Sequence, residues 1–356
     1  MKKQHWIAIA LAVLLVAAIS FYAFEHWSLD SGAHREDILA FMPPDAAAVI
    51  FADVAELRRA PFIAELFAWA PKPQADADYA QFLHDTGFDY ERDLDRAAIA
   101  VEKRGSDSAL FVVADGHFDI AKITAYAQKS GATQKHDGHE IFSVPVSGGA
   151  RKISFAFLRK DRLALTDDDS LIPLFSIHQK NPAVADWHSR FDRLAGSPIF
   201  AVIQQDAATS ATLAAQTPGG FRSPQLSALL DQLQWITIAG KPGNNDLRMV
   251  VEGETTADAT VRQLTDLLNG VVVLAETGLN DPKMRQQLAP ATREAYLELL
   301  RSADVSKLDR GETKSVRLVF NLTPKFLQAA RAAAPPQPQA PLPSRKLKPG
   351  KPTTRN

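Results

Sequence analysis

The chain has 356 residues, 46% of them hydrophobic, and its 40 Lys and Arg nearly cancel its 41 Asp and Glu. That length allows one large domain or two smaller ones, and a formal net charge of −1 provides no general field for nucleic acid or an anionic substrate. Cysteine is absent, which excludes disulfides, thiolate metal sites, a cysteine nucleophile and a lipid-attachment cysteine, and leaves stability to the apolar core.

The chain opens with Lys2-Lys3, followed by the uncharged run Trp6–Phe24 and then Glu25, His26 and Asp30. As a helix this run spans about 28 Å at about 1.5 Å per residue, close to the roughly 30 Å hydrocarbon core of a bilayer. Lysines before it and acids after it set an N-inside, C-outside orientation, and Trp6, Tyr22 and Trp27 stand where interfacial rings anchor. The expectation is residues 1–5 cytoplasmic, 6–24 a transmembrane signal anchor, and the bulk of the chain in the periplasm, held single-pass at the cytoplasmic membrane. The alternative is cleavage after Ala18-Ile19-Ser20, a small-residue site. Export follows from both.

Residues 25–40 read as a polar spacer. The globular region is expected as two α+β halves, 41–190 and 191–332. Ala47–Ala52 reads as a buried strand after Pro43-Pro44, and Val54–Trp69 as a helix that Pro61 kinks or restarts. Tyr79–Thr86 is a short helix closed by Gly87. Ala97–Lys103 and Ala109–Ala114 form paired strands, and Phe118–Lys129 a helix ending before Gly131. Asp137-Gly138 is a two-residue turn between strands, and Ile153–Leu158 with Arg162–Thr166 a further hairpin through Lys160-Asp161.

This order then recurs. Leu110–Gly116 matches Leu247–Gly253, Ile99 and Val101 match Ile236 and Ile238, and Ala257–Leu274 repeats the following helix with Thr255 or Thr256 as N-cap. Ile199–Ile203 is a second opening strand, and Val316–Leu322 closes the series before a helix from Pro324. A duplicated β-α-β-β-α-β-β unit accounts for this order; chance matching of short Val/Ile runs is the competing explanation. Tight hairpin turns require antiparallel pairing, so the fold class expected is α+β, with helices on one face of a mainly antiparallel sheet. Residues 333–356 hold seven prolines and five cations with no acid, a composition that cannot bury a core and is expected to be disordered.

Met42-Pro43-Pro44-Asp45-Ala46 leading into Phe51-Ala52-Asp53-Val54, with Asp115-Gly116-His117-Phe118-Asp119 further on, resembles bacterial envelope proteins that carry an N-terminal membrane anchor. The resemblance covers about a third of the chain. It implies location and fold, and it carries over no catalytic residue.

The recognisable catalytic motifs are missing: no GxxxxGK[ST], no GxGxxG after a strand, no GxSxG and no HExxH. In His136-Asp137-Gly138-His139-Glu140 a two-residue turn sets His136 and His139 opposite each other, with Cβ atoms roughly 5 Å apart, two of the ligands a zinc site needs. Glu140 points to the other face, so the segment is read as a solvated hairpin tip. Asp167-Asp168-Asp169-Ser170 is read as a helix start complementing the dipole rather than a cation loop. Asp53, with Glu56 three residues on, is read as an N-cap, and Arg58-Arg59 as a solvated face. No catalytic, cofactor-binding or metal-ligating residue is assigned, and no cofactor is expected. In the tail, Arg345, Lys346, Lys348, Lys351 and Arg355 either attract anionic lipid or an acidic envelope polymer, or only solubilise it. The function expected is a membrane-anchored binding or scaffold protein with an unknown protein partner. The alternatives are an envelope hydrolase with a site assembled between the halves and a carrier of an apolar ligand in a cleft there.

Overall fold

The computed structural model of the chain describes residues 38–43, 45–64, 77–104, 107–136, 138–146, 151–168, 171, 175, 182–205 and 228–333. The expected anchor (6–24), the segments on either side of it as far as residue 37, and the tail from 334 lie outside these residues. Among the described residues no helix is long and apolar enough to cross a membrane.

Twelve strands form one sheet: β1 (Ala48–Asp53), β2 (Leu94–Arg104), β3 (Asp107–Gly116), β4 (Ala132–His136), β5 (His139–Val146), β6 (Arg151–Arg159), β7 (Arg162–Thr166), β8 (Ile199–Gln204), β9 (Trp235–Pro242), β10 (Leu247–Thr255), β11 (Asp304–Arg310) and β12 (Thr313–Leu322). Their order is β11-β12-β10-β9-β8-β1-β2-β3-β7-β6-β5-β4. Every neighbouring pair is antiparallel. This follows from the turns: Lys160-Asp161 and Gly311-Glu312 each leave two residues between strands, too few for a parallel crossover.

Side chains alternate across the sheet, and the alternation separates two apolar layers. One face carries Val49, Phe51, Ala98, Ala100, Phe111, Val113, Ala164, Phe200, Val202 and Ala239. Ile38, Leu39 and Met42 seal it, together with Trp187 and Phe191 of α5 (Pro182–Arg193). The opposite face is covered in three patches. Val54 and Leu57 of α1 (Val54–Leu57) pack with Ala97 and Ile99. Ile123 and Ala127 of α4 (Ile120–Ser130) pack on Phe142 and Phe155. Val261 and Leu264 of α6 (Asp258–Asn280) pack on Ile236 and Val316. The remaining helices are α2 (Ala77–Thr86), α3 (Tyr90–Asp93), α7 (Pro282–Gln287), α8 (Pro290–Arg301) and α9 (Pro324–Ala333).

Several expectations shift in detail. Helix residues 54–57 stop at a turn and helix resumes at 61–64, because Pro61 supplies no N–H to continue the first segment. Ile38 and Leu39, in the stretch read as spacer, are buried in the core. Helices cover both faces of the sheet rather than one. The N-cap of α6 is Ala257, with no side-chain cap bond, while the Thr255 hydroxyl accepts the Ala257 N–H at 3.2 Å. In the sheet Leu110 pairs with Val101, but Leu247 pairs with Pro242. Superposing Leu110 on Leu247 therefore matches Val101 to Pro242 and not to Ile238. A period-two Val/Ile pattern fits at any even shift, so only the hydrogen-bond ladder fixes the register.

Candidate functional site

The charged groups gather where β1 ends, β2 begins and β3 ends. Asp53 closes β1 and caps α1: its Oδ1 accepts the Glu56 N–H at 2.8 Å, as the sequence implied, and its Oδ2 accepts from Arg96 Nε at 3.1 Å. Asp53 and Arg96 are register partners on β1 and β2, so the cap also ties the helix to the sheet.

Arg58, read from the sequence as solvated, turns inward instead and is only 9% exposed in its side chain. It donates to the Leu94 carbonyl, its Nη1 lies 4.0 Å from Asp95 Oδ1, and its Nε is buried without a partner. Burial lowers the Arg58 pKa, and the Asp95 carboxylate works against that. Asp95 also faces His117, whose Nδ1 is 3.4 Å from Oδ2. The imidazole is 80% exposed. Burial pushes the Asp95 carboxyl above its ordinary value despite His117, Arg58 and Arg96.

His117 is held by its backbone. Its N–H donates to the Asp93 carbonyl at 2.7 Å, and the Gly116 N–H donates to the Asp161 carbonyl at 3.0 Å. A Cβ at position 116 would sit 2.4 Å from the Asp93 oxygen, so this close approach of β3 to the start of β2 requires glycine. Beside it lies an open depression of about 780 Å³, walled by His117, Phe118, Asp119 and Ile120 on one side and Lys160 and Asp161 on the other. The Asp95–His117 contact is a charge approach rather than a hydrogen bond, and the exposed imidazole borders the depression, where it can meet a polar group. The sequence marked this segment only through its resemblance motif. Nothing local joins Asp95 to His117, because they meet only through sheet pairing.

Asp95 gives a pH-dependent prediction. With its folded pKa raised, the native state holds its proton to higher pH than the unfolded chain, so stability falls as pH rises from about 3.8 towards the folded value. Asp95→Asn is therefore expected to gain in melting temperature over wild type at pH 7 and to match it at pH 3. An equal difference at both pH values would show that burial of the charge has no part in it.

Asp115, Glu252 and Glu254 are also buried on the first face. Asp115 on β3 is forked by Arg162 of β7, Nε to Oδ1 at 2.6 Å and Nη2 to Oδ2 at 2.9 Å. The Arg162 guanidinium also lies 5.4 Å from the Phe41 ring centroid. Glu254 on β10 accepts from Arg190 at 2.6 Å and from Arg193, both on α5, and the Arg190 guanidinium stacks 4.0 Å over the Trp235 ring. Glu252 accepts from both Nη atoms of Arg310 and from the Ser315 hydroxyl at 2.8 Å. Burial raises the Glu252 pKa, but the Arg310 and Ser315 hydrogen bonds bring it below the ordinary value.

The other residues singled out in the sequence do not join these groups. His136 and His139 are register partners, as the turn required. Both lie against Phe175, whose ring stacks on His139 at 4.8 Å and is 6.2 Å from His136. Glu140 is near Lys135 at 3.6 Å, and Asp137 is outside the described residues. Among the described residues no three His, Asp or Glu side chains are placed to hold a metal. Asp167 lies in a bend after β7, and the helix start expected there falls on residues outside those described. Its Oδ1 accepts the Leu110 N–H at 2.7 Å, which satisfies a β3 donor, and Asp169 and Ser170 lie outside the described residues.

No family model matches the chain, and no curated protein matches it either. Among solved structures, crystal forms of TP0453 from Treponema are similar at low identity. Form I shows 10% identity and a TM-score of 0.42 over 86% of this chain and 98% of that one. Form III shows 11% and 0.44 over 85% and 97%, and form IV 12% and 0.44 over 85% and 100%.

Proposed function

We propose that this is a membrane-anchored, extracytoplasmic binding or scaffold protein, built from two duplicated α+β halves and held at the outer face of the cytoplasmic membrane by residues 6–24. The matching order of the halves supports the duplication: three antiparallel strands, a helix, and a closing hairpin whose last strand pairs with the third. The first half contains an additional hairpin, β4–β5.

The observation that carries the binding reading is on α6. Its first turns bury Thr260, Val261, Leu264 and Thr265, but from Asn269 to Asn280 no residue is buried. That length spans roughly 18 Å of helix at about 1.5 Å per residue, with α8 along one side, where Arg293 donates to Asn280 Oδ1 at 3.2 Å. It displays Val273 at 60% and Leu274 at 73% exposure. Gly270 and Gly278, one turn either side of Leu274, face open space and leave recesses beside that apolar knob, a surface suited to a partner helix. The Asp95–His117 pair favours a hydrolase instead.

The test places a photo-crosslinking residue at 274, or at the exposed Gln263 of the same helix, in the full chain in intact cells. A discrete adduct from 274 and none from 263 is expected. Equal labelling from both positions, or none, sinks the reading. A C-terminal alkaline phosphatase fusion should be active, and an inactive fusion would remove the compartment.

A further inference from the structure

Two strands, β3 and β10, repeat one local arrangement on the sheet's first face with different outcomes. In β3 the pair Asp115-Gly116 sets Asp115 opposite Arg162. In β10 the pair Glu252-Gly253 sets Glu252 opposite Arg317. The first acid and arginine close on each other as a buried fork. The second do not. Glu252 has one more methylene than Asp115, and both of its oxygens are taken by Arg310 of the edge strand β11, reaching across β12, with Ser315 on Oε1.

Arg317 is left over. Among the described residues its side chain has no hydrogen bond or ion pair, and its Nε is buried with no partner. The residue is partly buried, and its unsatisfied Nε carries a desolvation cost. The surroundings are cationic. The Arg193 guanidinium acts on Glu252 as well as Glu254, and Arg310 is held above its ordinary pKa by Glu252 first and by Glu254 in smaller part. Four arginines (190, 193, 310 and 317) thus stand around two carboxylates. Of the remaining acids, Asp186 lies 3.9 Å from Arg190 and is exposed. Asp304 stands one cross-strand pair beyond Ser306, the β11 partner of Arg317.

We propose that Arg317, with Arg193 and Arg310 at its rim, receives a compact oxyanion, namely a phosphate group, free or on a lipid headgroup. A guanidinium presents parallel N–H donors that match two phosphate oxygens, and the two glutamates hold the rim arginines in place while offsetting only two of the four positive charges. The proposal rests on the binding reading and supplies its ligand class. Its test uses a different surface from that of α6, so either can fail alone.

The full chain in uncharged detergent is titrated with inorganic phosphate by calorimetry at constant ionic strength. Saturable binding is expected, weakened at least tenfold in Arg317→Gln and unchanged in Arg285→Gln, an exposed arginine on α7. Arg317→Met without phosphate should melt no lower than wild type, since it removes an uncompensated cation. Equal phosphate binding by wild type and Arg317→Gln, or a marked drop in melting for Arg317→Met, overturns the proposal. Phosphatidylglycerol vesicles distinguish the source. Association weakened by Arg317→Gln identifies the headgroup, and association indifferent to it, with free phosphate binding still sensitive, identifies the free ion.

Discussion

Replacing Arg162 by methionine is expected to cost about 3–5 kcal/mol of folding stability, the loss typical of removing one partner from a buried ion pair. The side chain is 1% exposed and donates to both carboxylate oxygens of Asp115, which is itself buried. Without it the carboxylate keeps its charge in an apolar layer, close to the core residues Phe111 and Val113 of its own strand. The same logic predicts rescue. Converting both partners, Arg162→Met with Asp115→Val, removes the stranded charge and should recover most of the loss, because an apolar pair of similar volume often does as well as the ions. Urea unfolding of wild type, the single variant and the double variant measures this. A single variant losing less than about 1 kcal/mol would put the pair in the class of exposed ion pairs, despite its burial.

Phe200→Ala should be as damaging, at about 3–5 kcal/mol. Phe200 of β8 and Phe51 of β1 are register partners at the middle of the sheet, with ring centroids 5.1 Å apart and planes 24° from parallel. Phe191 of α5 closes over Phe200 at 5.9 Å. Truncation opens a cavity between two strands and a helix that cannot all collapse into it. The partner truncation Phe51→Ala should couple to it, and the double variant should lose less than the sum by about 0.5–1.5 kcal/mol, the stacking contribution. Denaturant midpoints of the four proteins give the coupling directly, and strict additivity would rule out a cooperative contact.

Much of the sheet was legible because its strands announce themselves locally. The apolar runs of β1, β8 and β12 and the two-residue turns after His136 and Arg159 need no distant information. β11 was not legible. Its sequence, Asp304–Arg310, alternates no clear apolar face, because an edge strand carries charges such as Asp304, Lys307 and Asp309 that keep it from pairing further. The charged groups were illegible for a different reason. Arg162 and Asp115 are 47 residues apart, and Arg190 and Glu254 are 64 apart, so each pair exists only once the ladder is set. Arg58 was misread because its position on a short helix near two other charges looks solvated until the start of β2 closes over it. The boundary expected between the halves holds the packed pair Phe51 and Phe200, so β1 and β8 join the halves through backbone hydrogen bonds.

That seam has a consequence for biogenesis. β1 finds β2 soon after synthesis, but its other neighbour, β8, follows some 150 residues later, a delay of roughly 8–30 s at about 5–20 residues per second. Through that interval the nascent chain carries an unzipped Ala-Val-Ile-Phe-Ala edge with every outward amide and carbonyl unpaired, a ready template for another chain. Misassociation of the folding chain is therefore expected to begin at β1, in the interval before its late partner emerges.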